Sequence, residues 1–378
     1  MMKLVEVQLK KPFLLGSSKD PNRQFKAAAG SYLTVFSDLT QYLVDLSQKG
    51  GIAFGKAYDL GLNPWPTRGT MVLINHFQAI GDAVCAGKFI EAYLDKFPDL
   101  TIRMVGETST LECTPDHARL KKIPFLLPVQ EAQNAIFRSC EDLIDGLNLK
   151  NEAPSLEAFF EEKYQVQCRK PAVQKHSGKV LKLFPISTSP LRTLHPNLLA
   201  KLCNLFERTV AIEVHLGAKS QHSQDYVSQM QTTLERPVKF LQKKEHLKDL
   251  KKRMQEDYYG VFCDSGPAHL TKFYGTAGTV FHNVANGETH MKGYNHLQVI
   301  QADFSSAWCN SPCGLSSLFL KNEREGCFAT HQTTTIGERQ KRPSGSPWLL
   351  ENGEMPPCHN SFIEQFDRLV THFEETRK

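Results

Sequence analysis

At 378 residues, with 40% hydrophobic positions, the chain is long enough for two domains of ordinary size, each with its own core. Its 45 Lys+Arg against 40 Asp+Glu leave a net charge of +5. That is no nucleic-acid signature, but it suits anionic small molecules or an anionic membrane surface. The opening text MMKLVEVQLKKPFLLG lacks the apolar centre of a signal peptide, and no apolar run reaches the about 18 residues a membrane span requires. With ten cysteines, these features predict reduced thiols in a cytoplasmic protein rather than a disulfide frame.

Residues 1–66 read as an extension ahead of the first domain. Within it Tyr32 to Leu46 places Leu33, Phe36, Leu39, Leu43 and Leu46 near one helical face, which predicts a packed helix. Gly50-Gly51 and Asn63-Pro64-Trp65-Pro66 break the chain before residues 67–170, the first domain. There Thr70 to Asn75 has the short apolar run of a buried central strand. Gly81-Asp82 and a helical pattern from Ala83 to Asp95 follow, closed by Pro98-Asp99. Thr101 to Val105 and Pro124 to Val129 are further strands, and Gln133 to Leu147 has helical spacing. Strands alternating with helices predict an α/β fold with a parallel, doubly wound sheet.

A polar, basic linker over residues 166–178 precedes a second series of the same plan, residues 171–305. Val180 to Phe184 and Val210 to His215 read as strands, with a helix over Asn197 to Glu207 after His195-Pro196. His246 to Met254 reads as a basic amphipathic helix within the run Lys243 to Arg253. That run suits an anionic lipid surface, although a solvated helix face explains it more simply. The segment YYGVFCDSGPAHLTKFYGTAGTVFHNV, Tyr258 to Val284, then reads as strand, tight turn, helix and strand. Asp264 and Ser265 suit a helix cap, Gly266 a tight turn and Pro267 the first helical position. An abrupt helix start after a strand offers free N–H groups and a positive dipole end, a seat for phosphate. An ordinary capped turn is the alternative. Residues 306–358 are rich in Cys, Gly, Pro and Ser, and residues 359–378 return to helical spacing. Thiolates of Cys309, Cys313, Cys327 and Cys358 could converge on a structural zinc or iron; the alternative is that they are reduced structural cysteines. Cys85, Cys113, Cys140, Cys168, Cys203 and Cys263 read as core thiols.

Three segments together resemble one family, the ADP-heptose lipopolysaccharide heptosyltransferases of glycosyltransferase family 9. They are LINHFQAIGDAVCAGKFIEAYLDKFPDLTIRMV (73–105), LKLFPISTSPLRTLHPNLLAKLCNLF (181–206) and DSGPAHL (264–270). The resemblance implies a GT-B fold, with two Rossmann-like domains facing across a cleft. It implies inverting sugar transfer from a nucleotide sugar, ADP-heptose above all, with no cofactor required for catalysis. It also implies a glycan or glycolipid acceptor such as a lipopolysaccharide core, and a cytoplasmic place with peripheral contact at the inner membrane. By the same resemblance Asp82 is the general base and Asp264 holds donor-sugar hydroxyls. Ser265, Gly266, Ala268 and His269 cradle the diphosphate, while Ser187, Thr188 and Arg192 form a hydroxyl-and-cation loop that neutralises the leaving group. Two departures stand out: Arg192 lies one residue further from Pro196 than the family pattern has it, and Lys272 replaces a small apolar residue. Relatives that modify autotransporter proteins, some with an iron bound by four cysteines, provide an alternative acceptor class. A non-catalytic nucleotide- or glycan-binding member is a further alternative.

Overall fold

The computed structural model describes residues 3–16, 24–27, 29–30, 32–36, 44–45, 47–59, 65–75, 79–124, 127–140, 143, 155–305, 310–313 and 355–378. The chain divides into two compact units. The first comprises Met1–Leu149 with Leu156–Arg169, and the second Lys150–Ser155 with Lys170–Lys378.

The first unit opens with β1 (Lys3–Leu9), the hairpin of β2 (Phe13–Gly16) and β3 (Gln24–Ala27), β4 (Tyr32–Phe36) and β5 (Ile52–Asp59). Residues 32–36 are therefore a strand, where apolar spacing predicted a helix. β4 pairs antiparallel with β1, Val7 opposite Leu33. Leu33 and Val35 are as compatible with a two-residue period as Leu33 and Phe36 are with a helical one, and pairing with β1 decides between them. A parallel sheet follows, built from β6 (Gly69–Ile74), β7 (Leu100–Gly106) and β8 (Leu120–Pro124). Between β6 and β7 runs α1 (Ile80–Lys96). The two residues β9 (Leu127–Pro128) join β4, and β10 (Ala135–Ser139) pairs parallel with β6. A second correction falls here, since Gln133 to Leu147 was expected to be helical. In β10 only Phe137, Arg138 and Ser139 are buried, so its apolar content is too short to announce a strand. The resulting sheet order is β10-β6-β7-β8. α2 (Leu156–Tyr164) packs against α1, and Phe89, Tyr93, Phe160 and Tyr164 join Trp65 in one aromatic cluster.

The second unit contains β11 (Val180–Phe184), α3 (Pro196–Asn204), β12 (Ala211–His215), α4 (Gln221–Gln231), β13 (Lys239–Leu241) and α5 (Leu247–Arg253). It continues through β14 (Tyr259–Cys263), α6 (Gly266–Tyr274), β15 (Gly278–His282), β16 (Leu297–Gln301) and α7 (Phe366–Glu375). All six strands are parallel, in the order β13-β12-β11-β14-β15-β16. The strand order runs outward in opposite directions from the β11–β14 pair, which makes the ends of those two strands the switch point of the sheet. α4 lies in a stretch that reads as merely polar. Its Ser220 cap and Ser223 exchange side-chain and backbone bonds, which starts the helix without an apolar face. α5 buries none of its residues, as a solvated face would. α7 closes the core of this unit, its Phe366, Leu369 and Phe373 clustering with Leu181, Val261 and Phe281. No helix among the described residues is long and apolar enough to cross a membrane.

Gly275 ends α6 in the left-handed region, at φ 72°. A Cβ placed there would lie 1.9 Å from the carbonyl oxygen of Ala172. Gly217 has a similar φ of 69° but nothing within 4 Å. Gly275→Ala is expected to lower the unfolding free energy by about 2–4 kcal/mol, and Gly217→Ala by only about 1 kcal/mol. Urea denaturation of the two variants checks this ranking.

Candidate functional site

In the first unit, the sheet delivers Asp82 to the first turn of α1, just past the carboxyl end of β6. Ala79 is the N-cap, with no side-chain capping bond. Asp82 is thus not the cap residue; it is half-buried in a turn whose N–H groups favour a negative charge. Residues 76–78, between the strand and this turn, lie outside the described residues.

The second unit brings Thr188, Arg192, Asp264 and His269 together at the ends of β11 and β14. Beyond β11 the chain enters the loop 187–193, which its own hydroxyls shape. Thr193 Oγ1 accepts from the Ser187 amide at 3.1 Å and donates to the Ser189 carbonyl at 3.1 Å. Asn283 Nδ2 donates to the Leu191 carbonyl at 2.6 Å, and His359 Nε2 lies 3.1 Å from the same oxygen. Tyr226 pins the end of the loop through the Leu194 carbonyl. Arg192 is thereby held over the end of β14. Its Nη1 donates to the Asp264 carbonyl at 3.1 Å and stands 3.6 Å from Oδ2 of that side chain. Its Nη2 donates to Thr188 Oγ1 at 3.2 Å.

Asp264 is 4% exposed. Its Oδ1 faces His269 Nε2 at 3.8 Å and His282 Nδ1 at 3.9 Å. Burial alone would raise its pKa, but His282, His269 and Arg192 outweigh burial and hold the carboxyl well below the usual range. Burial pushes His282 down to about 4 and His290, beside it, to about 4. At neutral pH His282 is therefore a neutral imidazole, and Arg192 is the cation that Asp264 faces.

At the head of α6, Ser265 is the N-cap, but its hydroxyl turns back towards the Cys263 carbonyl at 3.4 Å instead of capping. The amides of Ala268 and His269 donate to the Ser265 carbonyl at 3.1 and 3.4 Å. In the expected cradle, Ala268 and His269 thus have their amides engaged within the helix, and Ser265 and Gly266 stand ahead of them. Gly266 itself is an ordinary first helical residue, so its expected turn-making freedom is not used. In α4, Ser223 is buried and engaged in the cap, and Gln221 donates to Asp225 at 2.8 Å.

Cys309 and Cys327 lie outside the described residues. Cys313 and Cys358 are half-buried, and Cys358 Sγ accepts from Asn283 Nδ2 at 3.5 Å. Among the described residues no group of three His, Cys, Asp or Glu is placed to hold a metal. The six expected core thiols are all buried. Sequence reading missed His282, Asn283 and His290. The available signal was positional: His282 ends β15, level with the end of β14 one strand away. Lys272 proves buried, at 1% exposed, its Nζ donating to the His290 carbonyl at 3.0 Å and lying 5.0 Å from the Tyr294 ring centre.

A parallel sheet in the 3-2-1-4-5-6 order, with the Arg192–Asp264 pair at its reversal, defines the second unit as a Rossmann-like α/β module. No protein-family profile and no curated protein matches the chain. Among solved structures it is similar to the E. coli heptosyltransferase WaaC with ADP, at 14% identity and a TM-score of 0.42 over 61% of this chain and 90% of that one. It is also similar to a family 9 glycosyltransferase from Veillonella parvula DSM 2008, at 10% identity and a TM-score of 0.48 over 62% and 87%. The third likeness is to the iron-containing dodecameric glycosyltransferase TibC from enterotoxigenic E. coli H10407, at 9% identity and a TM-score of 0.43 over 99% and 92%. These structural neighbours are all glycosyltransferases.

The buried histidines set an acid limit on stability. Burial lowers His282 and His290 to about 4, and His215 and His359 to about 3. Below about pH 6.5 the unfolded chain takes up protons that the folded chain refuses, so stability falls as pH drops. Each such histidine contributes up to about 1.4 kcal/mol per pH unit between about pH 6.5 and its folded value. Urea midpoints are expected to fall steadily from about pH 7 to about pH 4.5; a flat profile would refute the neutral, buried state of these rings.

Proposed function

We propose that the chain is an inverting glycosyltransferase that moves a sugar, heptose from ADP-heptose in the first instance, onto a lipopolysaccharide core or related surface glycan. The observation that carries this reading is the Arg192–Asp264 pair at the reversal of the second sheet, beside the head of α6. It supplies a cation suited to a diphosphate, with the Thr188 hydroxyl bonded to it, and a carboxylate suited to sugar hydroxyls.

In this reading an acceptor hydroxyl attacks the anomeric carbon and gives its proton to Asp82. The bond from that carbon to the diphosphate oxygen breaks, and the electron pair leaves with the nucleoside diphosphate. Arg192, with Ser187 and Thr188, meets the charge that develops there. The amides of Ser265 and Gly266 and the dipole of α6 add to it, with His269 beside them. Asp264 holds the sugar. Residues 67–170 then serve the acceptor, and residues 171–305 serve the nucleotide sugar. Localisation in the cytoplasm, peripheral to the inner membrane, belongs to the same reading.

Calorimetry with ADP, UDP and GDP tests the donor half: a chain that binds none of them is not a nucleotide-sugar transferase. Asp82→Asn is expected to lower turnover by about 10²- to 10⁴-fold while leaving donor affinity nearly unchanged. Surviving turnover would remove Asp82 from the role of base. The four thiols Cys309, Cys313, Cys327 and Cys358 favour a second reading, transfer to a protein by a metal-stabilised relative. Under that reading the purified protein contains about one equivalent of iron or zinc, lost in Cys309→Ser, and glycosylates a polypeptide in an acceptor panel. Elemental analysis without metal would leave the glycan reading standing alone.

A further inference from the structure

Behind Asp264 lies a side chain that the reading above does not use. His282 is fully buried, at 0% exposed, and neither ring nitrogen has a hydrogen-bond partner. A polar group kept buried and unbonded costs stability, and such groups call for a reason. The backbone that carries the ring is anchored, and the space around the ring is close-fitting. Gln301 Nε2 and the Ala302 amide donate to the His282 carbonyl at 3.0 and 2.7 Å. A Cβ on Gly287 would come within 2.6 Å of the imidazole. His290 meets the ring edge-on at 6.1 Å between centres.

Three donors surround the Asp264 carboxylate, and all three stand just beyond bonding distance: Arg192 at 3.6 Å, His269 at 3.8 Å and His282 at 3.9 Å. They differ in what else they can reach. Side chains of Arg192 and His269 are 20% and 13% exposed, and each has a buried nitrogen without a partner, Nε and Nδ1. Both can therefore turn to an anion. His282, buried on an anchored strand end, can close the short remaining distance to Asp264 but has no exposed surface with which to meet a ligand.

We infer that His282 is a positioning residue, whose Nδ1–H takes over Asp264 Oδ1 when Arg192 and His269 turn to the diphosphate, so that the carboxylate stays aimed at the sugar. This rests on the donor-site reading proposed above. The neutral imidazole suits the task, because it can donate one hydrogen bond without adding a charge that would compete with the diphosphate. No bond is made or broken at His282.

The test compares wild type with His282→Phe, which fills the space without a donor, and His282→Asn, whose amide can stand near Nδ1. Melting curves verify that each variant folds, and calorimetry with ADP and ADP-heptose separates the two halves of the donor. His282→Phe is expected to keep ADP affinity within about twofold, and to lose about tenfold in ADP-heptose affinity and in kcat/KM, with His282→Asn recovering most of the loss. Equal donor affinity in His282→Phe and wild type would overturn the inference. So would equal losses in both variants, which would mean that shape alone matters, or a parallel loss of ADP affinity. If wild type itself binds none of ADP, UDP or GDP, the donor-site reading fails, and this inference falls with it.

Discussion

Everything assigned to the second unit turns on one buried ion pair. A carboxylate as enclosed as Asp264 would protonate unless countercharge stood close by, and the guanidinium of Arg192 is that countercharge. The two residues come from different strand-ending loops, separated by 72 positions in the chain. Their meeting follows from sheet topology: β11 and β14 are neighbours although two strands and their helices lie between them in sequence. Around the pair, hydrogen bonds from Asn283, His359 and Tyr226 leave the 187–193 loop little freedom. Preorganisation of this kind spares a site the cost of ordering itself when ligand arrives.

The environment also sorts the histidines by what they can do. His359 and His282 lie fully enclosed and are kept neutral by burial, while His269 retains a view of solvent. His359 anchors a loop, and under the proposed reading His282 is a reserve partner for Asp264 and His269 faces the ligand. What separates these roles is depth beneath the surface, which no single residue in the text of the chain reveals.

Legibility in the sequence followed the same division. The stretch Tyr258 to Val284 could be read almost residue by residue, since strand, cap, Pro at the head of the helix and the next strand each carry a local signal. β6 and α1 were clear for the same reason. Tyr32–Phe36 and Ala135–Ser139 were misread because short apolar stretches fit either period, and their strand partners lie far off in the chain. Gln221–Gln231 was passed over because its stability comes from a cap rather than an apolar face. Asp264, Arg192 and Thr188, which the structure brings together, are marked by motif text. His282 and Asn283 are not, because their importance arises only when neighbouring strands bring them level with residues that text has already marked.

The docking of α7 carries a consequence for how the second unit is made. The Phe373 ring packs against Tyr259 and His176, and a parallel bridge joins His176 to Arg377, about the whole unit apart in sequence. Contacts this distant close late, since the loop between them must be gathered before they contribute anything. Without residues 362–373 the core of this sheet would lack Phe362, Phe366, Leu369 and Phe373.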